Sequence, residues 1–192
     1  MTSPTEQLVE DVAEITFAST GAIVKRGIEI DDAGERADAS QCLLQARLMA
    51  ALHRLNPVLS HDNVESVVRL LARPPHPTLI QNNRWFHGLL TEGVDVEVRD
   101  AVSGEMRGVR AKLVDFDDAA ANELLVVRQL GLTAASGKLL RPDLTVFVNG
   151  LPLVVIELKD PADTQADLGT AIDQLDGYQQ VMPDLFVPNV LR

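Results

Sequence analysis

Residues 141–159 read Arg141-Pro142-Asp143-Leu144-Thr145-Val146-Phe147-Val148-Asn149-Gly150-Leu151-Pro152-Leu153-Val154-Val155-Ile156-Glu157-Leu158-Lys159. Two apolar, β-branched runs flank Asn149-Gly150, the strongest short-range signal for a β-hairpin. Charge is confined to the outer ends, as Asp143 before the first run and Glu157 and Lys159 after the second. Val154, Val155 and Ile156 are consecutive, so both faces of that strand are apolar; the pattern predicts a central strand in a covered sheet. An acid and a lysine at the end of such a strand are costly unless they are paired or bind something.

Glu157 and Lys159 share one face because strand side chains alternate with period two. For Asp143 to join them from the neighbouring strand, the loop must contain an odd number of residues. A two-residue Asn-Gly turn would set Asp143 opposite Ile156, on the other face. A three-residue loop with a glycine bulge near Gly150 sets it level with Glu157 or Lys159, and the sequence predicts that loop. Two carboxylates and a carbonyl are hard oxygen donors suited to Mg²⁺ or Mn²⁺ rather than zinc. A lysine beside them can orient a water or neutralise charge developing on a phosphate. Glu-x-Lys alone is usually a solvated strand end; Pro-Asp on a paired strand strengthens the catalytic reading, and the surrounding residues decide it.

Arg141-Pro142-Asp143, followed by Phe147 to Lys159, resembles the nuclease motif of the restriction (R, or motor) subunit of type I restriction enzymes, within the PD-(D/E)xK superfamily. Downstream, Gln174-Leu175-Asp176-Gly177-Tyr178 resembles that family's Gln-x-x-x-Tyr, whose spacing sets Gln174 and Tyr178 on one helical face. Leu55-Asn56-Pro57, Asn82-Asn83-Arg84-Trp85-Phe86, Leu90 to Val94, Asp115-Phe116 with Asn122, and Val126-Val127-Arg128-Gln129 also look like family landmarks.

The resemblance implies an α/β fold: a mixed central sheet flanked by helices, a restriction-endonuclease-like core with an N-terminal helical portion. It implies Asp143, Glu157 and Lys159 as catalytic residues, with Asp143, Glu157 and the Leu158 carbonyl holding Mg²⁺ or Mn²⁺. Glu10 is the choice for a further acidic residue on the first helix, with Glu14 as its competitor. Gln174, Tyr178 and Arg141 would support the site or contact DNA. The implied activity is that of a type I site-specific deoxyribonuclease cutting double-stranded DNA. Its implied partners are a motor domain in the same chain and the methylation and specificity subunits. On that basis the chain is expected to be a cytoplasmic nuclease domain, a fragment of a longer subunit or a short homologue.

A chain of 192 residues suits one domain, here a mainly helical portion over 1–92 and a sheet core over 93–192. Apolar content of 46% and charged content of 23% are those of an ordinary globular protein. The single cysteine, Cys42, excludes an internal disulfide, disfavours a thiolate zinc site and suits a small core residue on a helix. No stretch reaches membrane-spanning length, so no membrane partner is expected. A net charge of −11 is unlike that of a self-sufficient DNA binder. The resemblance reconciles the two, because the motor and partner subunits would hold the DNA.

Leu8, Val12, Ile15 and Phe17 predict an amphipathic helix over 5–18. Residues 27–38 read as a loop. A long helix is expected from near Asp38 or Ser40 to Leu55, ended by Pro57. A second, capped by Ser60 or Asp62, should end near Arg73, and residues 82–90 suggest a short one. Strands are expected at 94–99, 109–116, 124–129, 144–148, 153–158 and 185–187, with a helix over 167–180.

Gly131 to Leu139 looks like a phosphate-binding loop but has one residue too many between its glycines and lacks the final Ser/Thr, so no nucleotide cofactor is expected. Asp115, Asp117 and Asp118 suit capping better than calcium, since the glycine and terminal glutamate of an EF-hand loop are missing. His53, His61, His76 and His87 show no metal-ligand spacing, and Trp85 and Phe86 suit core anchors. Two other readings compete with the first: a catalytically silent docking module, suggested by the acidic charge, and a stand-alone structure-specific nuclease.

Overall fold

The computed structural model of the chain describes residues 4–100, 103–159 and 168–191. It opens with α1 (Pro4–Ser19), β1 (Ile23–Arg26) and the short α2 (Gly27–Asp32), followed by α3 (Gln45–Leu55), α4 (His61–Leu71) and α5 (Leu79–Glu92). A ribbon of β2 (Val94–Arg99) and β3 (Met106–Ala111) leads to β4 (Leu124–Arg128), then to a small hairpin of β5 (Leu132–Thr133) and β6 (Leu139–Leu140). The hairpin of β7 (Leu144–Val148) and β8 (Leu151–Ile156) comes next, then α6 (Leu168–Val181) and a 3-10 turn at Pro183–Phe186.

The main sheet runs β1-β4-β7-β8, with β1 parallel to β4 and the other neighbours antiparallel. This is the mixed α/β sheet expected, consistent with a restriction-endonuclease-like fold. Period-two alternation gives it two buried faces. Leu125, Val127, Phe147 and Val155 pack with Leu175 of α6 and with Met182 and Phe186 beyond it. Val126, Leu144 and Val146 pack with Ala13 and Phe17 of α1. A second body of core gathers Leu48, Leu52, Val67, Phe86, Leu90 and Val98 from α3, α4, α5 and the ribbon. Ser60 caps α4, its hydroxyl accepting from the Asn63 N–H at 3.2 Å.

Several elements differ from the sequence expectation. The strand with consecutive apolar residues, β8, is outermost; β4 and β7 are central, and Leu125, Val126 and Val127 are fully buried. The outer edge of β8 is covered instead by residues 189–191, through a bridge between Val154 and Leu191 and a bond from the Val155 N–H to the Leu191 carbonyl (3.2 Å). Residues 185–187 form no strand, because Pro183 opens a 3-10 turn that buries Leu185 and Phe186.

Residues 27–32 are helical rather than loop, α3 begins only at Gln45, and Cys42 lies in the segment before it. The second ribbon strand stops at Ala111, since Asn56 takes the next backbone groups, accepting from the Lys112 N–H (2.7 Å) and donating to its carbonyl (2.9 Å). On α1 the expected stripe points outward: Leu8, Val12 and Ile15 are exposed, and the buried position belongs to Glu10.

Candidate active site

The geometry of the candidate site depends on the register of the β7–β8 hairpin. Asn149 (φ 53°) and Gly150 (φ 81°) are both left-handed, and Val148 pairs with Leu151, so the loop has two residues rather than three. Its length is locked by packing. The buried Asn149 side chain accepts from the Glu123 N–H (2.9 Å) and Arg54 Nη2 (3.0 Å), and it donates to the Leu113 carbonyl (3.0 Å) and Asn122 Oδ1 (2.9 Å). A Cβ on Gly150 would come within 2.6 Å of the Leu44 carbonyl.

The extra residue lies elsewhere. Val146 pairs with Val154 but Phe147 with Pro152, which leaves Leu153 as a bulge in β8. Its carbonyl is held from outside by the N–H groups of Val190 (2.7 Å) and Leu191 (3.3 Å) and by Asn189 Nδ2 (3.1 Å). Beyond the bulge Leu144 pairs with Ile156, so Asp143 stands across from Glu157. The required parity is met by a different device from the predicted Gly150 bulge.

Across the sheet, Arg26 pairs with Arg128, Arg128 with Leu144, and Leu144 with Ile156. One step beyond, Gly27, Gln129, Asp143 and Glu157 form a row along the sheet's end. The Gln129 N–H donates to the Asp143 carbonyl at 2.9 Å. A Cβ on Gly27 would collide with the Gln129 carbonyl, so this position requires glycine.

The side chains of the row meet α6. The Leu158 N–H donates to Asp143 Oδ2 (2.7 Å), which fixes that carboxylate. Gln174 is the hub: its Nε2 donates to Glu157 Oε2 (2.6 Å) and to the Tyr178 hydroxyl oxygen (2.9 Å), and its Oε1 accepts from Lys159 Nζ (2.7 Å). Asp143, Glu157, Lys159, Gln174 and Tyr178 are thus brought together. Burial raises the Asp143 carboxyl above the usual range, and the charge on Glu10 adds to this. Burial, and then the charge on Asp143, push Glu157 up to about 8. Burial likewise lifts the Tyr178 hydroxyl to about 12.

Glu157 Oε1 is buried and has no hydrogen-bond partner among the described residues. Two crowded carboxylates, one with an unpartnered buried oxygen, are a donor set that a hard divalent cation fits. Among the described residues no group of three or more His, Cys, Asp or Glu side chains gathers as a ligand cluster. The groups that could hold such a cation are Asp143, Glu157 and a backbone carbonyl such as that of Leu158.

Glu10 sits on the α1 side of the same sheet end, where its oxygens accept from Arg128 Nε and from Gln129 Nε2 (3.0 and 3.2 Å). Arg128 also reaches Asp11 (2.6 Å) and Glu14 (3.2 Å), so Glu14 shares that cation. Arg141 is exposed beside a cleft that Gln129 and Arg128 also line. Sequence reading assigned Arg128 and Gln129 no role. The signal was present, since an arginine ending the apolar run 124–127 poses the same question as Glu157 ending its own run.

Three further segments that drew attention in the sequence have local structural roles. Residues 132–140 form a hairpin whose turn is closed by the Ala134 N–H on the Lys138 carbonyl (2.9 Å). Asp115 Oδ1 accepts the N–H groups of Asp117 and Asp118 (3.0 Å each), and Asp118 caps the 3-10 turn at Ala119–Ala121. Phe86 is fully buried, with Trp85 packed on the same core.

Residues 3–191 match the family model for the type I restriction enzyme R protein N terminus. Among curated proteins, the chain is 38% identical over 154 residues to the type I restriction enzyme HindI endonuclease subunit of Haemophilus influenzae, covering 80% of this chain and 14% of that protein. It is 28% identical over 183 residues to a Methanocaldococcus jannaschii protein provisionally named the type I restriction enzyme MjaIXP endonuclease subunit, covering 94% of this chain and 17% of that protein. The chain therefore spans only a small part of the length of these relatives.

Proposed function

Since the chain belongs to the family of type I restriction enzyme R protein N termini, we propose that it is the metal-dependent endonuclease domain of such an enzyme, hydrolysing phosphodiester bonds of double-stranded DNA. The observation that carries this reading is the hairpin register that sets Asp143 across from Glu157, with Lys159 bound to Gln174 beside them. Mg²⁺ or Mn²⁺ held by Asp143, Glu157 and the Leu158 carbonyl would supply Lewis-acid stabilisation of phosphoryl oxygens and a water of lowered pKa.

The chain's own residues do the rest. Lys159 Nζ, anchored on Gln174 Oε1, orients the attacking water or offsets charge developing on the phosphate. Gln174 fixes Lys159 and Glu157 relative to each other, and Tyr178 fixes Gln174. The Leu158 N–H holds Asp143 in one rotamer, which pre-organises the pair. The proposed setting is an ATP-driven complex with methylation and specificity subunits, in the cytoplasm, with motor and DNA recognition outside this chain. Plasmid cleavage by the full-length subunit, assembled with its partners, tests the reading. Asp143→Ala and Lys159→Ala are each expected to lose at least about 100-fold in cleavage rate; a fully active variant overturns the assigned roles.

A further inference from the structure

A cleft of about 470 Å³ opens beside the carboxylate row, lined by Gln7, Arg26, Ile28, Arg128, Gln129 and Arg141, with Gly27 and Asp31 completing its wall. Three of these side chains are cationic and one is anionic, in a chain whose net charge is −11. Asp31 is engaged by Arg36, and Arg128 by Glu10, Asp11 and Glu14, none of which lines the cleft. Arg26 and Arg141 are exposed, and their guanidinium groups form no ion pair among the described residues; the Glu29 carboxylate is bound to the Arg26 backbone N–H (2.8 Å). Among the three arginines of the lining, these two are the ones whose side chains form no ion pair among the described residues.

The sheet supplies a ruler between cleft and site. Gly27 and Gln129, both in the cleft wall, stand in the row that ends in Asp143 and Glu157. Neighbouring strands lie about 4.8 Å apart, so the backbone at Gly27 is about 10 Å from that at Asp143. Successive phosphates of one DNA strand advance about 3.4 Å along the helix axis, so a span of that size covers a few nucleotides. Gln129 joins the two places, lining the cleft while its N–H holds the Asp143 backbone.

We infer that this cleft is a DNA-backbone subsite, in which Arg26 and Arg141 bind phosphates a few nucleotides from the bond to be cut. The inference rests on the nuclease reading and adds the path of the strand. It makes Arg26 and Arg141 binding residues, with no part in the chemistry.

The test is fluorescence anisotropy of the chain with a labelled mixed-sequence duplex, in EDTA, over 20–150 mM KCl. Each phosphate contact contributes about 0.9 to the slope of log K against log salt. Arg26→Gln with Arg141→Gln is expected to lower affinity and take about 2 off that slope, while Arg107→Gln, exposed on β3, changes neither. In parallel, the arginine Nε–H resonances of Arg26 and Arg141 should shift on titration with the duplex. An unchanged slope in the double variant, shifts confined to other arginines, or no binding by the parent chain at 20 mM KCl would each overturn the subsite. None of these bears on the nuclease reading, which stands or falls on Asp143→Ala and Lys159→Ala cleavage.

Discussion

Glu157 is held where a carboxylate is least comfortable. It is half-buried, it faces Asp143, and one of its oxygens has no hydrogen-bond partner among the described residues. Without a cation the pair therefore keeps a proton up to about pH 8. Metal binding must displace that proton, so affinity for Mn²⁺ should rise with pH, by up to about tenfold per unit between pH 6 and 8. Titration calorimetry in buffers of different ionisation enthalpy checks the proton release; a pH-independent affinity with no proton released would be inconsistent with a protonated pair.

The same shift sets a stability trend. Because the folded pKa lies above the ordinary 4.5, the folded state binds the extra proton between about pH 4.5 and 8. The metal-free domain therefore loses stability as pH rises through that window. Glu157→Gln removes the loss and should be the more stable protein at pH 8, by about 1–3 kcal/mol in urea melts. The candidate residues Asp143, Glu157 and Lys159 stood out in the sequence because charge at the end of an apolar strand is conspicuous. The role of Gln174 as hub was not, since a Gln-x-x-x-Tyr spacing does not say which amide atom meets which partner.

Among the elements, α1 shows how a buried ion cluster can replace an apolar seam. Its Leu8, Val12 and Ile15 face outward, and Glu10, Asp11 and Glu14 close on Arg128 at the end of β4. Arg128→Met would leave Glu10 buried without its cation and should destabilise the domain by about 3–5 kcal/mol. Adding Glu10→Leu should recover much of that loss, as urea denaturation of the two variants would show; equal losses would mean that α1 is held otherwise. Hydrophobic periodicity predicted the helix correctly but suggested the wrong face, because periodicity does not register a partner more than 100 residues away.

The β7–β8 hairpin teaches a related lesson. Its strands and turn residues are local and were readable, whereas the bulge at Leu153 is set by bonds from residues 189–191. Strand β1 was missed because four residues with one exposed edge carry little pattern. Gly150→Ala, at φ 81° and against the Leu44 carbonyl, should cost at least about 1–3 kcal/mol of stability.

In the molecule as a whole, a net charge of −11 is compatible with the proposed nuclease site because three arginines line the cleft beside it. The carboxylates that neutralise Arg128 sit outside the cleft wall, leaving Arg26 and Arg141 exposed on it. One thiol reports on the integrity of the remainder. Cys42 is buried and its pKa is raised to about 12 by that burial, so it should resist thiol reagents at neutral pH until the domain opens. Labelling that is rapid in native buffer would mean the segment before α3 opens on its own.

The central claim is that Asp143 and Glu157 form one cation site at the end of this sheet. Calorimetry of Mn²⁺ and Mg²⁺ binding at near-neutral pH, comparing the parent chain with Asp143→Ala, tests it most directly. The account predicts a single class of site in the parent chain and its loss in the variant. Binding of undiminished affinity in Asp143→Ala would contradict it.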